Sequence, residues 1–276
     1  MDYKKILTIQ DISCVGQCSL TVALPILSAC GLETCVLPSA VLSTHTAGFS
    51  DFTFRDLTDD MPQIQAHWQK ENIRFQAIYT GYLGSVKQVG YVKSILSTMG
   101  TEDCVRIVDP AMADNGMLYP IFNEEYVAAM KTLCASADIL IPNITEACFL
   151  TDTQYRETYD EAYVKLLLEK LTQLGAKSIV LTGVGYVPGK TGVIVYKDGV
   201  IRYYAHDKVS KGCHGTGDIY ASAFTGALLN GKEIFEAAKI AADYTVKCII
   251  NTQGDESHWY GAKFETALRY LMDMIA

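Results

Sequence analysis

Along the chain, short apolar runs of strand length alternate with longer stretches whose apolar residues recur at helical spacing. The pattern predicts strands over 6–10, 34–37, 77–80, 105–108, 139–141 and 178–181, and helices over 19–30, 64–71, 86–97, 124–134, 146–150 and 159–174. Gly31 stops the first helix, and a polar loop follows the second strand. Such a βα alternation folds as a mostly parallel sheet with helices on both faces. It breaks at 191–197 and 200–205, two strand-like runs joined by Asp198-Gly199, a favoured two-residue hairpin turn, which predicts an antiparallel edge. Helices over 217–229, 234–251 and 262–274 complete the chain. With no linker, repeat or low-complexity tract, residues 1–276 are expected to form a single domain.

The most informative segment is Cys213-His214-Gly215-Thr216-Gly217-Asp218, which runs directly into the small-residue apolar stretch 219–229. It places a glycine turn and a carboxylate at a helix N-terminus, where unpartnered N–H groups and the positive end of the macrodipole favour an anion. A carboxylate beside a phosphate can take the proton from an attacking alcohol, so the pairing points to phosphoryl transfer to a hydroxyl. In isolation a Gly-x-Gly-Asp is more often an ordinary glycine turn with a first-turn charge. Its context changes that reading.

The 276 residues, 49% hydrophobic and 20% charged, suffice for a large core. A net charge of −8 and a pI near 5.1 argue against nucleic acid or an anionic membrane as partner and favour a small-molecule substrate. No apolar run reaches membrane-spanning length and the N-terminus has no signal-peptide pattern, so a cytoplasmic protein is expected. The nine cysteines are odd in number and scattered through apolar segments, as reduced core residues are. Cys14 and Cys18 lack a second Cys/His pair for zinc. Cys213 is singled out only because it adjoins the anion hole; the inert reading is preferred there.

Other phosphate motifs fit less well. The run 183–191 resembles a P-loop, but five residues separate Gly183 from Gly189-Lys190-Thr191 and a strand follows instead of a helix. Pro188 and Tyr220 stand where a dinucleotide fingerprint needs its third glycine. The 183–191 segment reads instead as a mobile strand connection that covers the nucleotide. Loops at strand ends carry the remaining polar signals: 10–16, 43–49, Asp109 to Gly116, and Pro142-Asn143-Ile144-Thr145-Glu146. The carboxylates of the third loop suit a Mg²⁺-phosphate complex held through water. Asn143 and Glu146 are also the two halves of a capping box, the plainer account of that pair. All four loops fall on one edge of the inferred sheet.

These elements resemble the pyridoxal kinases of the ribokinase-like superfamily across the whole length. The resemblance rests on Ile9-Gln10, Leu42-Ser43-Thr44-His45-Thr46, Thr80-Gly81-Tyr82-Leu83-Gly84, Val108-Asp109-Pro110-Ala111-Met112, Ile141 to Glu146 and Gly215-Thr216-Gly217-Asp218, in family order. It implies a three-layer α/β/α sandwich and ATP-dependent phosphorylation of the pyridoxal 5′-hydroxymethyl group by direct in-line transfer. By the same resemblance Asp218 is the base, and Gly215, Thr216 and Gly217 form the γ-phosphate anion hole. Asp109 and Glu146, with Asn143, organise Mg²⁺ and the ATP phosphates, while Thr182, Lys211 and His214 lie at the nucleotide. Asp11, Ser13, Thr46 and Tyr82 hold the pyridine ring. A homodimer and a monovalent cation such as K⁺ are further family expectations.

Three departures bear on specificity. Asp11 stands where familiar pyridoxal kinases place a serine, and Gly183 where some members carry a nucleotide-site lysine. His214-Gly215-Thr216-Gly217 resembles the hydroxymethylpyrimidine kinases, which have cysteine where this chain has Asp218. The alternative substrate is therefore hydroxymethylpyrimidine, or a sugar handled by the same machinery. A non-catalytic vitamin-binding protein is disfavoured because the catalytic set is intact.

Overall fold

The computed structural model describes residues 3–209 and 213–276. Its first half comprises β1 (Lys5–Ser13), α1 (Leu20–Ala29), β2 (Glu33–Leu42), β3 (Phe54–Asp56), α2 (Met61–Lys70), β4 (Phe75–Thr80), α3 (Val86–Thr98) and β5 (Gly100–Val108). There follow β6 (Ala113–Asp114), β7 (Met117–Leu118), α4 (Glu124–Cys134), β8 (Ile139–Leu140), α5 (Ile144–Leu150), α6 (Glu161–Leu174) and β9 (Ser178–Thr182). The rest is β10 (Lys190–Lys197), β11 (Val200–Asp207), α7 (Thr216–Leu229), α8 (Ile234–Thr252) and α9 (Leu268–Ile275), with 3₁₀ turns at Glu256–His258 and Phe264–Ala267.

The main sheet has the order β11-β10-β9-β8-β5-β4-β1-β2-β3. From β9 through to β2 every neighbouring pair is parallel, and the antiparallel strands β10, β11 and β3 form its two edges. Side chains of each central strand alternate between two separate cores. From β1, Leu7 and Ile9 enter the core under α2 to α6, whereas Ile6 enters the core under α1, α7, α8 and α9. The expected parallel sheet between two helical layers is thus present, with its hairpin edge. That hairpin turns through Asp198 (φ 51°) and Gly199 (φ 80°), the left-handed pair of a type I′ turn. The run after Gly183 leads into antiparallel β10, not a helix, so the P-loop reading is rightly set aside.

Several elements differ from the sequence pattern for identifiable reasons. β2 runs on to Leu42 instead of ending at Leu37, because Pro38 interrupts the apolar run without ending the strand. The register against β1 shifts there: Gln10 and Ile12 pair with Pro38 and Val41, so Ser39 and Ala40 form a bulge in β2 opposite Asp11. β3 was hidden inside the polar loop: its three residues are all exposed and carry no alternation. The stretch expected as a helix over 262–274 begins as a 3₁₀ turn, and only its later part forms α9. α6 starts at Glu161, after the Asp160 cap, and not at Tyr159. Cys14, Cys18, Cys30, Cys35, Cys104, Cys134, Cys148 and Cys248 form no disulfide, and no helix among the described residues is long and apolar enough to cross a membrane.

Candidate active site

The parallel strands deliver their C-terminal residues to one rim. Asp11 and Ser13 end β1, Tyr82 follows β4, Asp109 follows β5, Asn143 follows β8 and Thr182 ends β9. Against this rim α7 presents its N-terminus. Gly215, the residue before the helix, has φ 75°, and a Cβ on it would fall 1.6 Å from the Gln17 carbonyl oxygen, so the turn requires glycine twice over. Gly217 is the reverse case: a Cβ there would meet no atom of the described residues within 4 Å. The glycine turn therefore opens onto free space at a helix N-terminus, as an anion hole needs. Asp218 follows, in the first turn of α7. Burial pushes its carboxyl up to about 7; the Ser19 N–H facing it opposes the shift, and the charge of Asp11 adds to it.

Around Asp11 the contacts are local and polar. Its carboxylate accepts the Ser13 hydroxyl at 3.0 Å, and the residue is 5% exposed. Burial raises its proton affinity, while the hydroxyls of Ser19 and Ser13 lower it. His45 is held in one tautomer: Nδ1 accepts the Ala47 N–H at 3.1 Å, so Nε2 carries the proton and donates it to the Tyr260 carbonyl at 2.7 Å. His214 lies with its ring 5.6 Å from that of His45, and burial lowers its proton affinity. Tyr82, half-buried, has its hydroxyl in reach of the Asp11 charge and its ring 5.5 Å from Phe122. Thr46 is exposed on the loop after β2. Cys213 is half-buried against the α7 and α8 core.

A second acidic group forms beside Asp218. Asp109 is 8% exposed, and no hydrogen bond reaches its carboxyl among the described residues. Burial first, then the charges of Glu146 and Asp218, drive its proton affinity well above that of an ordinary carboxylate. Glu146 is differently placed. Its Oε2 accepts the Asn143 N–H at 2.8 Å and its Oε1 the Met112 N–H at 3.2 Å, while the Asn143 Oδ1 accepts the Glu146 N–H at 2.9 Å. The capping box is thus real, and the Asn143 amide also donates to the Ala113 carbonyl at 2.9 Å. Thr182 bridges to Asn143 across the strand ends. Lys211 lies outside the described residues.

Two neighbours of this site carried no motif. Ser19 reads in the sequence as a plain helix start. Tyr119, just beyond the small β6-β7 hairpin, has its hydroxyl within the field of Glu146, Asp109 and Asp218, and only three-dimensional proximity reveals it.

The model of the phosphomethylpyrimidine kinase family matches residues 24–260. The chain belongs to this family. A Bacteroides thetaiotaomicron protein assigned as a phosphomethylpyrimidine kinase is 37% identical, with a TM-score of 0.92 over 98% of this chain and 96% of that one, in a crystal form with pyridoxal. Pyridoxal kinase from Lactobacillus plantarum is 30% identical, with a TM-score of 0.91 over 98% and 97% of the two chains. The hydroxymethylpyrimidine/phosphomethylpyrimidine kinase of Bacillus subtilis is 28% identical over 220 residues, 78% of each chain. Family membership makes this protein a kinase with ATP as co-substrate.

Proposed function

We propose that the protein transfers the γ-phosphoryl group of ATP to the 5′-hydroxymethyl of pyridoxal or a related B6 vitamer, giving pyridoxal 5′-phosphate. The observation that carries this reading is Asp218, a carboxyl with an affinity near neutrality, beside the free space at Gly217 on the N-terminus of a long helix. A base is most effective when its pKa lies near the working pH. Asp218 accepts the hydroxyl proton as the alcohol oxygen bonds to the γ-phosphorus. The bond from that phosphorus to the bridging oxygen breaks, and ADP leaves with the electron pair. The N–H groups of 215–217 face the charge that spreads over the phosphoryl oxygens.

The acidic residues suit Mg²⁺. Among the described residues Asp109 is a buried carboxylate without a hydrogen-bond partner, which a cation would satisfy, and Mg²⁺ is commonly held by one or two carboxylates plus substrate phosphates. Asp109 is the direct candidate; Glu146, whose oxygens already accept backbone N–H groups, would act through water. Bound there, the ion would neutralise phosphate charge. Asn143, Thr182, Lys211 and His214 are assigned to the nucleotide side, and Asp11, Ser13, Thr46 and Tyr82 to the ring.

B6 specificity is supported by the two similar structures, one with pyridoxal and one named a pyridoxal kinase. It is supported too by Asp218 standing where hydroxymethylpyrimidine kinases carry cysteine. The pyrimidine remains the second reading because the family and the Bacillus subtilis relative carry that name. An ADP-release assay with Mg-ATP and pyridoxal, pyridoxine, pyridoxamine, hydroxymethylpyrimidine and ribose decides between them. Turnover confined to the B6 vitamers is expected; turnover only on the pyrimidine or sugar would overturn the substrate and keep the chemistry.

A further inference from the structure

The loop that carries Thr46 is held at its base by backbone and at its tip by side chains. The Cys14 and Val15 N–H groups donate to the Leu42 and Ser43 carbonyls at 2.8 and 3.2 Å, and the His45 N–H donates to the Val15 carbonyl at 3.1 Å, which extends the β1-β2 pairing. Residues 46–52, among the described residues, take part in no backbone-to-backbone hydrogen bond. The His45 Nδ1 accepts the Ala47 N–H there, and the Phe49 and His45 rings meet edge-on with centroids 5.1 Å apart. Phe49 also packs on Trp259 at 4.6 Å, and a Cβ on Gly48 would come within 2.7 Å of the Trp259 ring. His45 is where this tip meets the rest of the site. Its Nε2–H donates to the carbonyl of Tyr260, 215 residues on, while Gly16 packs so closely on the ring that a Cβ would approach within 2.2 Å. The His214 ring stands 5.6 Å away. The segment around Tyr260 is fixed in turn, since a Cβ on Gly261 would fall 2.3 Å from that of Gln17, the residue whose carbonyl excludes a side chain at Gly215. The imidazole is 5% exposed and both its nitrogens are engaged by protein, so its contribution is position and not contact with a substrate.

We propose that His45 is a positioning residue for the acceptor: its bond to the Tyr260 carbonyl fixes the tip of the 43–49 loop, and Thr46 with it, against the segments that support Gly215. The inference rests on the phosphoryl-transfer reading above and its assignment of Thr46 to the acceptor, but not on which acceptor is used. A rigid ring that accepts at one nitrogen and donates at the other joins the two segments with little freedom left between them. The other neutral tautomer would lose both bonds at once, because Nδ1–H would face the Ala47 N–H and a bare Nε2 would face the Tyr260 carbonyl.

The test divides the two bonds of the ring between two variants. In His45→Gln the amide nitrogen takes the place of Nε2 and can donate to Tyr260, whereas in His45→Asn the amide oxygen takes the place of Nδ1 and can accept from Ala47 but the side chain falls short of Tyr260. The KM of whichever acceptor the parent uses should rise about tenfold in His45→Asn, as for a lost hydrogen bond that leaves a carbonyl unpaired, and stay within about threefold in His45→Gln, with the ATP KM within about twofold in both. Without substrates, amide hydrogen exchange over 46–52 should be faster in His45→Asn than in the parent or His45→Gln. A folded His45→Asn with the parental acceptor KM overturns the proposal, even if its exchange is faster, and so does an equal rise in both variants, because the bond to Tyr260 would then not be what positions the acceptor. On the parent alone, long-range ¹H–¹⁵N correlations of the His45 ring at pH 8 should show the neutral tautomer protonated at Nε2; protonation at Nδ1 overturns the proposal even if neither variant folds. Exchange and tautomer need no substrate, so a parent inactive on every acceptor counts against the phosphoryl-transfer reading and leaves both results readable.

Discussion

Gly215 and Gly217 lie two residues apart and meet opposite physical demands. At Gly215 both the left-handed backbone and the carbonyl of Gln17 exclude a side chain, whereas at Gly217 the described residues leave the space open. The substitutions Gly215→Ala and Gly217→Ala therefore separate folding from chemistry. The first is expected to lower the melting temperature and abolish activity together, because a Cβ must displace backbone. The second should leave the melting temperature within about 1 °C, a surface-like change, yet depress kcat/KM for ATP by about tenfold or more through intrusion on the anion hole. Thermal denaturation and steady-state kinetics on both variants check this; a Gly217→Ala enzyme with parental kinetics would mean that no phosphate approaches there.

At the scale of elements, α5 shows how a structural device and a site can be one object. Asn143 caps the helix, Glu146 completes the box, and the same two side chains tie α5 to the loop after β5 through Ala113 and Met112. Asn143→Ala is expected to destabilise the fold by about 1–2 kcal/mol, as loss of an N-cap does, and to raise the ATP KM while the acceptor KM changes little. Denaturant unfolding with kinetics on each substrate measures both; an unchanged ATP KM would leave Asn143 a cap alone. The strands that deliver the rim were legible in sequence because buried parallel strands are continuous apolar runs, and Gly215 to Asp218 was legible because glycine and carboxylate chemistry is local. β3 was not, since an exposed edge of Phe54, Arg55 and Asp56 carries no period. Neither was the β2 bulge opposite Asp11, which depends on the pairing of two strands, nor the left-handed backbone of Ser19, which does not cap α1 with its side chain.

Across the whole molecule the dominant electrostatic feature is that a chain of net charge −8 gathers Asp11, Asp109, Glu146 and Asp218 at one rim. Each has its proton affinity raised, with burial the largest cause. A carboxyl whose folded pKa exceeds its unfolded value costs stability as pH rises from the unfolded value through the folded one. For Asp218 that window runs from the usual carboxylate range to about 7, so at pH 8 the site is held ionised at the expense of the fold. Asp218→Asn should accordingly melt no lower than the parent at pH 8, which makes it a fair probe of chemistry. The decisive measurement is single-turnover phosphoryl transfer by parent and Asp218→Asn across pH 5.5 to 8.5, at matched occupancy of Mg-ATP and acceptor. The parent rate should fall about tenfold per pH unit below a midpoint near 7, where Asp218 takes up its proton. The variant should be slower by about two to four orders of magnitude at pH 8, bind ATP nearly as well and lack that acid limb. A variant that transfers phosphate near the parental rate, or that keeps the same acid limb, would contradict Asp218 as the base.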